Sequence, residues 1–312
     1  MAAQSSFYSK ESLCEFNFQK AETEYGPFWH YCTPGQFNES VNSTEADYRF
    51  SVNNLAFSAA EAGISVVTDA HMSNHLHVLM GCRREQCFVF EKAYLYRLQK
   101  HLDAQGRSVD LRRFNCLDPI AVTDLNMMRN EIVYINRNGF VIDPRFTPFS
   151  YPWSGGSIYF NQRVSVTGAI PFNALTYREK RKITLRSEPL VPDGYLYKDG
   201  LILPSSYLKY SLGESLFRDG HHYFSLLSKN VESFSSIAKR LGDRVVVTEE
   251  EMYNLLSSIA KRDYNLNQAS LLPPNEKIKL AKMMHYDYKA SNSQIQRLLK
   301  LDLPVINELF PK

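Results

Sequence analysis

The chain has 312 residues with a hydrophobic share of 44%, which is enough for a packed core and argues against wholesale disorder. Its net charge of +3 at pH 7 permits nucleic-acid binding but does not by itself predict it. With no long apolar run, no secretory leader pattern and five scattered cysteines without a Cys-x-x-Cys pair, the expected protein is soluble and cytoplasmic, with free thiols and no membrane partner.

The first half of the chain alternates strand and helix patterns after a polar lead-in, 1–26, that is expected to be irregular. Strand patterns occupy 27–32, 64–68, 74–80 and 111–117, and helix patterns occupy about 44–62, 86–104 and 124–138. Gly63 and Gly139 are placed to end the first and last of these helices. The order β-α-β-β-α-β with one further helix predicts an α+β fold, with a ferredoxin-like antiparallel sheet and helices on one face.

The composition changes near residue 166, which predicts a first domain at 27–165 and a mainly α-helical C-terminal domain at 166–312. The clearest pattern of the second domain is at 276–310, where Ser291 and Gln294 have capping-box spacing at the start of a helix. A short turn and a second helix follow, which is a helix-turn-helix in outline. A plain helical bundle is an equally good interpretation, because the second of these helices has no arginine or lysine.

Two histidines, His75 and His77, flank a leucine and lead into an apolar stretch. Alternate side chains of a strand share a face, so the two imidazoles would point the same way and could hold one divalent cation. Leu76 and Val78 would then point into a core. Most such pairs are surface or packing residues, so the pair alone is a weak indication of a metal site.

A second segment contains Tyr134 and Asn138, and Tyr151-Pro152-Trp153-Ser154 follows it. Met-x-Asn-His-x-His with a later Tyr-Ile-x-x-Asn and Tyr-Pro-Trp-Ser resembles the REP-associated tyrosine transposases of the HUH superfamily of single-strand DNA endonucleases. The resemblance covers about residues 27–160. Two departures are visible: the family's Met-Pro-Asn-His is Met72-Ser73-Asn74-His75 here, and the proline that usually follows the asparagine is absent after Asn138.

The resemblance implies a metal-dependent transposase that cuts and rejoins single-stranded DNA, expected at hairpin or repeat sequences. Tyr134 would be the catalytic nucleophile, leaving a 5′-phosphotyrosine link and a free 3′-OH. His75, His77 and Asn138 would bind Mg²⁺ or Mn²⁺, and Tyr134 and Asn138 lie four residues apart, on one face of the expected helix. Taken singly, Tyr134 is also consistent with a packing aromatic and Asn138 with a helix C-terminus.

Basic side chains near the motifs and near the C-terminus are candidate contacts to DNA phosphates. They are Arg83, Arg84, Arg112, Arg113, Arg137, Lys289, Arg297 and Lys300. Without the motifs, an ordinary solvated surface would be the better interpretation of the basic cluster in the first half. His30 and His71 lie near the motif strands, and we expect structural or supporting roles for both.

Other classes of function stay open at this level. The chain could be a domesticated regulator that binds DNA or RNA hairpins without cleaving them, through its C-terminal helices. It could also be a structural or interaction protein with an incidental His-x-His pair. Both histidines and Tyr134 are present, which favours the enzyme, because binding alone needs none of them. The resemblance is compatible with a monomer or a homodimer.

Overall fold

A computed structural model describes residues 17–33, 39–114, 118–141, 145–162, 164–185, 191–229, 231–241 and 247–311. Packing divides the chain into two compact units, Met1–Phe224 and Ser225–Lys312. Across the described residues, no helix is both long and apolar enough to cross a membrane.

The described residues form both helices and strands. In chain order they are α1 (Phe18–Tyr25), β1 (Phe28–Cys32), α2 (Glu45–Ala62), β2 (Ser65–His71), β3 (Leu76–Gly81), α3 (Arg84–Ala104), β4 (Ile120–Val122), α4 (Leu125–Val141), β5 (Ile170–Pro171), α5 (Tyr177–Thr184), β6 (Leu196–Lys198), β7 (Leu201–Ile202), α6 (Pro204–Tyr207), α7 (Tyr210–Ser215), α8 (Gly220–Lys229), α9 (Val231–Leu241), α10 (Glu249–Tyr264), α11 (Pro274–Tyr286), α12 (Asn292–Leu299) and α13 (Leu303–Leu309). The fold is α+β, as the sequence predicted.

The main sheet has the strand order β2-β3-β1-β4, and every neighbouring pair is antiparallel. Tyr31 of β1 packs on Phe90 of α3, with ring centroids 5.4 Å apart, and α2 packs beside α3. The preceding residue, His30, points to the opposite face, where its Nδ1 lies 2.7 Å from Glu131 Oε2 of α4. The sheet therefore lies between α2 and α3 on one side and α4 on the other, whereas helices on one face were expected.

α2 follows the local signals of the sequence. Thr44 and Asp47 form a capping box at its start, and Gly63 ends it with a left-handed backbone at φ 65°. Residues 1–26 were expected to be irregular; 1–16 lie outside the described residues, and in the rest the side chain of Asn17 accepts a hydrogen bond from the Lys20 amide and begins α1.

The strand expected at 111–117 is not formed by the described residues of that range. The side chain of Asp110 accepts a hydrogen bond from the amide of Arg112, which draws Leu111–Arg113 into a 3₁₀ turn. The strand that pairs with β1 is β4, and it has only three residues. The expectation was therefore wrong in position, although a short strand does follow α3.

α4 continues through Gly139, which the sequence predicted would end the helix. A β-carbon on Gly139 would overlap the ring of Tyr151, which packs against the helix at this point. Gly139 is thus suited to close packing rather than to helix termination.

The first unit extends past the expected domain boundary between residues 165 and 166. β5, β6 and β7 form a second small sheet beside α2. The hydroxyl of Tyr195 donates to the Ala56 carbonyl at 3.3 Å, and the amide of Ile202 donates to Asn53 Oδ1 at 2.7 Å. These contacts join residues that are distant in the sequence, and they attach the second small sheet to α2 of the first unit.

The second unit has a core built by α10, α11, α12 and α13. The helices expected within 276–310 are present, and Ser291 and Gln294 form the expected capping box of α12. Ile306 and Phe310 are buried in this core, as their pattern predicted. Lys300, with φ 49°, makes the turn between α12 and α13.

Among the described residues, Cys32, Cys82 and Cys87 are buried thiols outside any disulfide, in agreement with the expectation. The sulfur atoms of Cys82 and Cys87 lie 3.5 Å apart. Cys14 and Cys116 lie outside the described residues.

Candidate metal and nucleophile site

His77 is fully buried at the centre of the main sheet, opposite Cys32 of β1 and Ala70 of β2. His30 pairs with Leu79, two residues after His77. Because alternate residues of a strand share a face, His30 and His77 both point to the face that α4 covers.

His75 lies one residue before β3, whereas the sequence predicted that it would lie within the strand. The tight turn that positions it is closed by the amide of Met72, which donates to the His75 carbonyl at 2.9 Å. The rings of His75 and His77 still meet edge to face, with centroids 5.0 Å apart at 84°. The two imidazoles are therefore neighbours through the geometry of the hairpin.

Glu131, His30 and His77 form a buried hydrogen-bonded row from α4 into the sheet. Glu131 Oε2 lies 2.7 Å from His30 Nδ1, and His30 Nε2 lies 3.1 Å from His77 Nδ1. An ionised carboxylate only accepts, so His30 Nδ1 carries the hydrogen and its Nε2, in a neutral ring, accepts one from His77. The lone pair of a neutral His77 ring is then on Nε2, the form in which imidazole binds a metal.

His75 reaches the same ring form by a local contact. Its Nδ1 lies 2.8 Å from the Oδ1 of Asn74, an amide oxygen that can only accept. The hydrogen of a neutral His75 ring is then on Nδ1 and its lone pair on Nε2. Both neighbouring imidazoles thus have the tautomer that suits metal ligands.

Tyr134 meets the histidines from α4. Its ring centroid lies 5.5 Å from that of His77, at 89°, and 6.1 Å from that of His30. Tyr134 is fully buried, and so is Glu131, three residues before it on the same helix face. The structure therefore brings His75, His77 and Tyr134 into one cluster, with Tyr134 enclosed.

Asn138 follows Tyr134 by one helical turn and is 5% exposed. Its Nδ2 is buried without a hydrogen-bond partner among the described residues. Buried amide groups are nearly always hydrogen-bonded, so this donor is an exception to the usual pattern.

The Tyr151-Pro152-Trp153-Ser154 segment runs along the outer edge of β2. The amide of His71 donates to the Trp153 carbonyl at 2.9 Å, and the Ser154 hydroxyl donates to the Asp69 carbonyl at 2.9 Å. The Tyr151 hydroxyl donates to the His71 carbonyl at 2.6 Å. This segment covers the sheet edge next to the cluster.

His71 itself is buried, with its Nε2 3.2 Å from Asp69 Oδ2. This contact agrees with the structural role that we expected for it. His30 supports His77, also as expected. Glu131 was missed by the sequence reasoning, although its position three residues before Tyr134 could have indicated a shared helix face.

Among the basic residues of the first unit, Arg137 is fully buried, so it offers no surface to a phosphate and its assignment as a DNA contact is withdrawn. Arg83 is exposed. Arg84 and Arg112 are exposed and paired, the first with Asp118 at 2.5 Å and the second with Asp110 at 2.8 Å. The side chain of Arg113 lies outside the described part of the structure.

In the second unit, Lys289, Arg297 and Lys300 are exposed. The guanidinium of Arg297 makes a bidentate contact with the Glu249 carboxylate, with Nε donating to Oε1 at 2.9 Å and Nη2 donating to Oε2 at 2.8 Å. The three basic residues follow α11 and precede α13 in the chain. All three are accessible, but Arg297 already has a carboxylate partner.

Among the described residues, no three of the His, Cys, Asp and Glu side chains are grouped to hold a metal ion. Any site here would need oxygen ligands in addition to the two imidazoles, such as an amide or a phosphate.

Comparison with known proteins returned no family model, no curated protein and no solved structure that matches this chain. Inference about its function therefore rests on the residues and their geometry.

Proposed function

We propose that the protein is a metal-dependent single-strand DNA nuclease and strand transferase of the HUH type, a transposase that uses Tyr134 as its nucleophile. The observation that carries the proposal is that the His77 ring contacts both the His75 ring, at 5.0 Å between centroids, and the Tyr134 ring, at 5.5 Å. The chemistry needs the segment with His75 and His77 to lie beside the distant segment with Tyr134, and the ring contacts bring the two segments together.

The donor set fits Mg²⁺ or Mn²⁺. His75 and His77 would hold the cation through Nε2, because Asn74 and His30 occupy their Nδ1 atoms. Asn138 would supply an amide oxygen, a hard ligand that these cations accept.

Tyrosine is a weak nucleophile near neutral pH, because a phenol titrates near about 10. A divalent cation on the scissile phosphate would withdraw charge from phosphorus and orient it for in-line attack. The Tyr134 oxygen would form a bond to phosphorus as the P–O3′ bond breaks. The phenol loses its proton, the leaving oxygen gains one, and the DNA keeps a 3′-OH that can reverse the reaction.

The sheet supports the same proposal. Its antiparallel order β2-β3-β1-β4, with α2 and α3 in the two crossover connections, is the order that we would expect of a split β-α-β or ferredoxin-like unit. In the proposed HUH core, α4 would deliver the nucleophile to the sheet face that carries the histidines.

One observation favours the alternative, a domesticated regulator that binds DNA or RNA hairpins without cutting them. Tyr134 is fully buried, and a nucleophile must reach phosphorus. Cleavage therefore requires that DNA binding uncovers Tyr134, whereas a regulator needs no such change.

The test is formation of a covalent adduct. The protein is incubated with single-stranded hairpin DNA and Mn²⁺, and an SDS-resistant complex is sought. We expect an adduct with the wild type, none with Tyr134→Phe and none after EDTA is added first. Tyr94→Phe is the matched control, because Tyr94 is an equally buried ring on α3, at the opposite face of the sheet.

An adduct that survives Tyr134→Phe would move the nucleophile elsewhere. Binding of several hairpins without any adduct would favour the regulator. Loss of the adduct in Tyr94→Phe as well would mean that the assay reports on folding rather than on the nucleophile, and circular dichroism of both variants would show it.

A further inference from the structure

A cleft of about 560 Å³ lies beside the Tyr151-Pro152-Trp153 segment. The first turns of α2, with Tyr48 and Arg49, form one wall, and Arg145 and Leu201 contribute others. Pockets for small ligands usually have volumes of about 300–1,000 Å³. The cleft is thus large enough for a group of nucleotide size.

One wall of the cleft is aromatic. The rings of Tyr48 and Trp153 are stacked, with centroids 5.4 Å apart at 19°, and both are half-buried. The hydroxyl of Tyr151, which lines the cleft beside them, donates to the His71 carbonyl at 2.6 Å. A half-buried stack of this kind is a ready platform for another flat ring.

The charged groups of the cleft favour an anion. Arg49 and Arg145 line it together with one acidic residue, Glu45, so these lining groups sum to +1. Arg49 contacts Glu45 and the Asp199 carbonyl, which fixes its position at the rim. Guanidinium groups next to an aromatic platform suit a ligand that has a flat ring and a phosphate.

Tyr151 lines the cleft and also packs against the helix that carries Tyr134. The hydroxyl of Tyr151 binds the backbone at the end of β2, while its ring packs on Gly139, the residue after Asn138. The cleft and the candidate site are therefore separated by one buried side chain.

We propose that the cleft binds one unpaired nucleotide of single-stranded DNA, with its base stacked on Trp153 and its phosphate beside Arg145. The inference deepens the proposed function and rests on it for the identity of the strand. Stacking depends on the ring and not on a base-specific hydrogen bond, so the cleft would accept different bases.

The two tryptophans of the chain, Trp29 and Trp153, allow a direct test. In a Tyr134→Phe protein, Trp29→Phe leaves Trp153 as the sole indole reporter, and Trp153→Phe leaves Trp29 as the matched control. The probes are an oligothymidylate of about six nucleotides, an abasic strand of equal length, and thymidine monophosphate. We expect saturable quenching of Trp153 by the oligothymidylate alone at micromolar concentration, and none of Trp29.

Three results would overturn the proposal: no quenching of Trp153, equal quenching by the abasic strand, or equal quenching by the mononucleotide at the same concentration. The second would mean that only the backbone binds, and the third that the cleft takes a free nucleotide.

A separate measurement keeps this inference apart from the nuclease. Removal of the stacking ring by Trp153→Ala should raise the DNA concentration for half-maximal adduct formation by about 5- to 100-fold, and Trp153→Phe by less. If the concentration dependence is unchanged in Trp153→Ala, the nucleotide-binding role of the cleft is contradicted and the nuclease proposal is not affected. If Trp153 is quenched but the wild type forms no adduct, the nuclease proposal is contradicted and the role of the cleft is not affected.

Discussion

The ring of Tyr151 lies against Gly139 so closely that no β-carbon fits between them. One residue belongs to the segment at the sheet edge and the other to the helix that carries Tyr134. The contact therefore couples the aromatic cleft to the candidate site, and any change in the position of α4 must move Tyr151 or open a gap beside it.

Gly139→Ala should destabilise the first unit. Alanine is favoured over glycine inside a helix by about 1 kcal/mol, but the added methyl group must displace the Tyr151 ring. Overpacking of this kind costs about 1–3 kcal/mol, so we expect net destabilisation. Urea unfolding followed by tryptophan emission measures it, because Trp29 and Trp153 both lie in this unit.

Gly220→Ala is the control for that experiment. A β-carbon on Gly220 would meet the Phe160 ring at an ordinary 3.5 Å, and the residue is also at a helix position. We expect little change in its unfolding free energy. Equal losses in Gly139→Ala and Gly220→Ala would mean that the contact with Tyr151 is not responsible.

Glu131→Gln should weaken Mn²⁺ binding. Glu131 fixes the hydrogen on His30 Nδ1 and, through His30, the lone pair on His77 Nε2. Replacement of a partner that orients a metal ligand typically costs about 10- to 100-fold in affinity, and we expect a loss in this range by calorimetric titration.

Glu91→Gln is the matched control, because Glu91 also accepts a hydrogen bond from β1, from the Tyr31 hydroxyl at 2.9 Å, but on the opposite face. Its Mn²⁺ affinity should equal that of the wild type. A wild-type affinity in Glu131→Gln would contradict the orienting role, and a loss in both variants would indicate a general structural effect.

Local signals in the sequence predicted local structure well. Thr44 and Gly63 mark the ends of α2, and the spacing of His75 and His77 implied neighbouring rings, although a turn and not a strand provides the geometry. The spacing of Tyr134 and Asn138 likewise put them on one face of α4. Each of these depends on residues within a few positions of one another.

Contacts between distant segments could not be predicted in the same way. His30 and Glu131 are separated by 101 positions, and no periodicity links them. Gly139 looked like a helix end because its packing partner, Tyr151, is outside the helix. β4 has three residues, too few for an alternating pattern to be recognised, and a turn was mistaken for it.

Asp47→Asn should lower stability in a pH-dependent way. Burial would raise the pKa of Asp47, but hydrogen bonds from Gln105, His101, Ser43 and Thr44 outweigh it and hold the pKa well below its usual range. Hydrogen bonds to a charged group contribute about 1.5–3 kcal/mol, so we expect a loss of that order at pH 7.

The pH window follows from the direction of the Asp47 shift. An unfolded aspartate titrates near about 3.9, so as the pH falls below 4 the unfolded chain takes up a proton first and the contribution of the folded carboxylate declines. The difference in unfolding free energy between wild type and Asp47→Asn should be constant from pH 7 to 5 and should narrow below 4. A difference that widens on acidification would contradict the assigned direction.

The basic residues of the second unit should contribute unequally to DNA binding, if this unit contacts DNA phosphates as the sequence analysis predicts. Glu249 holds the guanidinium of Arg297 through two hydrogen bonds, so Arg297 must break an ion pair before it meets DNA. Lys300 is exposed at the turn before α13 and has no carboxylate partner among the described residues. Each phosphate contact on a single strand adds about 0.7 to the slope of log affinity against log salt.

Lys300→Gln should therefore reduce that slope by about 0.7 for a labelled hairpin with a single-stranded tail, and Arg297→Gln should leave it nearly unchanged. Glu249→Gln gives the reciprocal result, because it releases Arg297 and should steepen the slope. Fluorescence anisotropy across a salt series measures all three variants. A decrease in Arg297→Gln equal to that in Lys300→Gln would show that the pair with Glu249 does not hold Arg297 away from DNA.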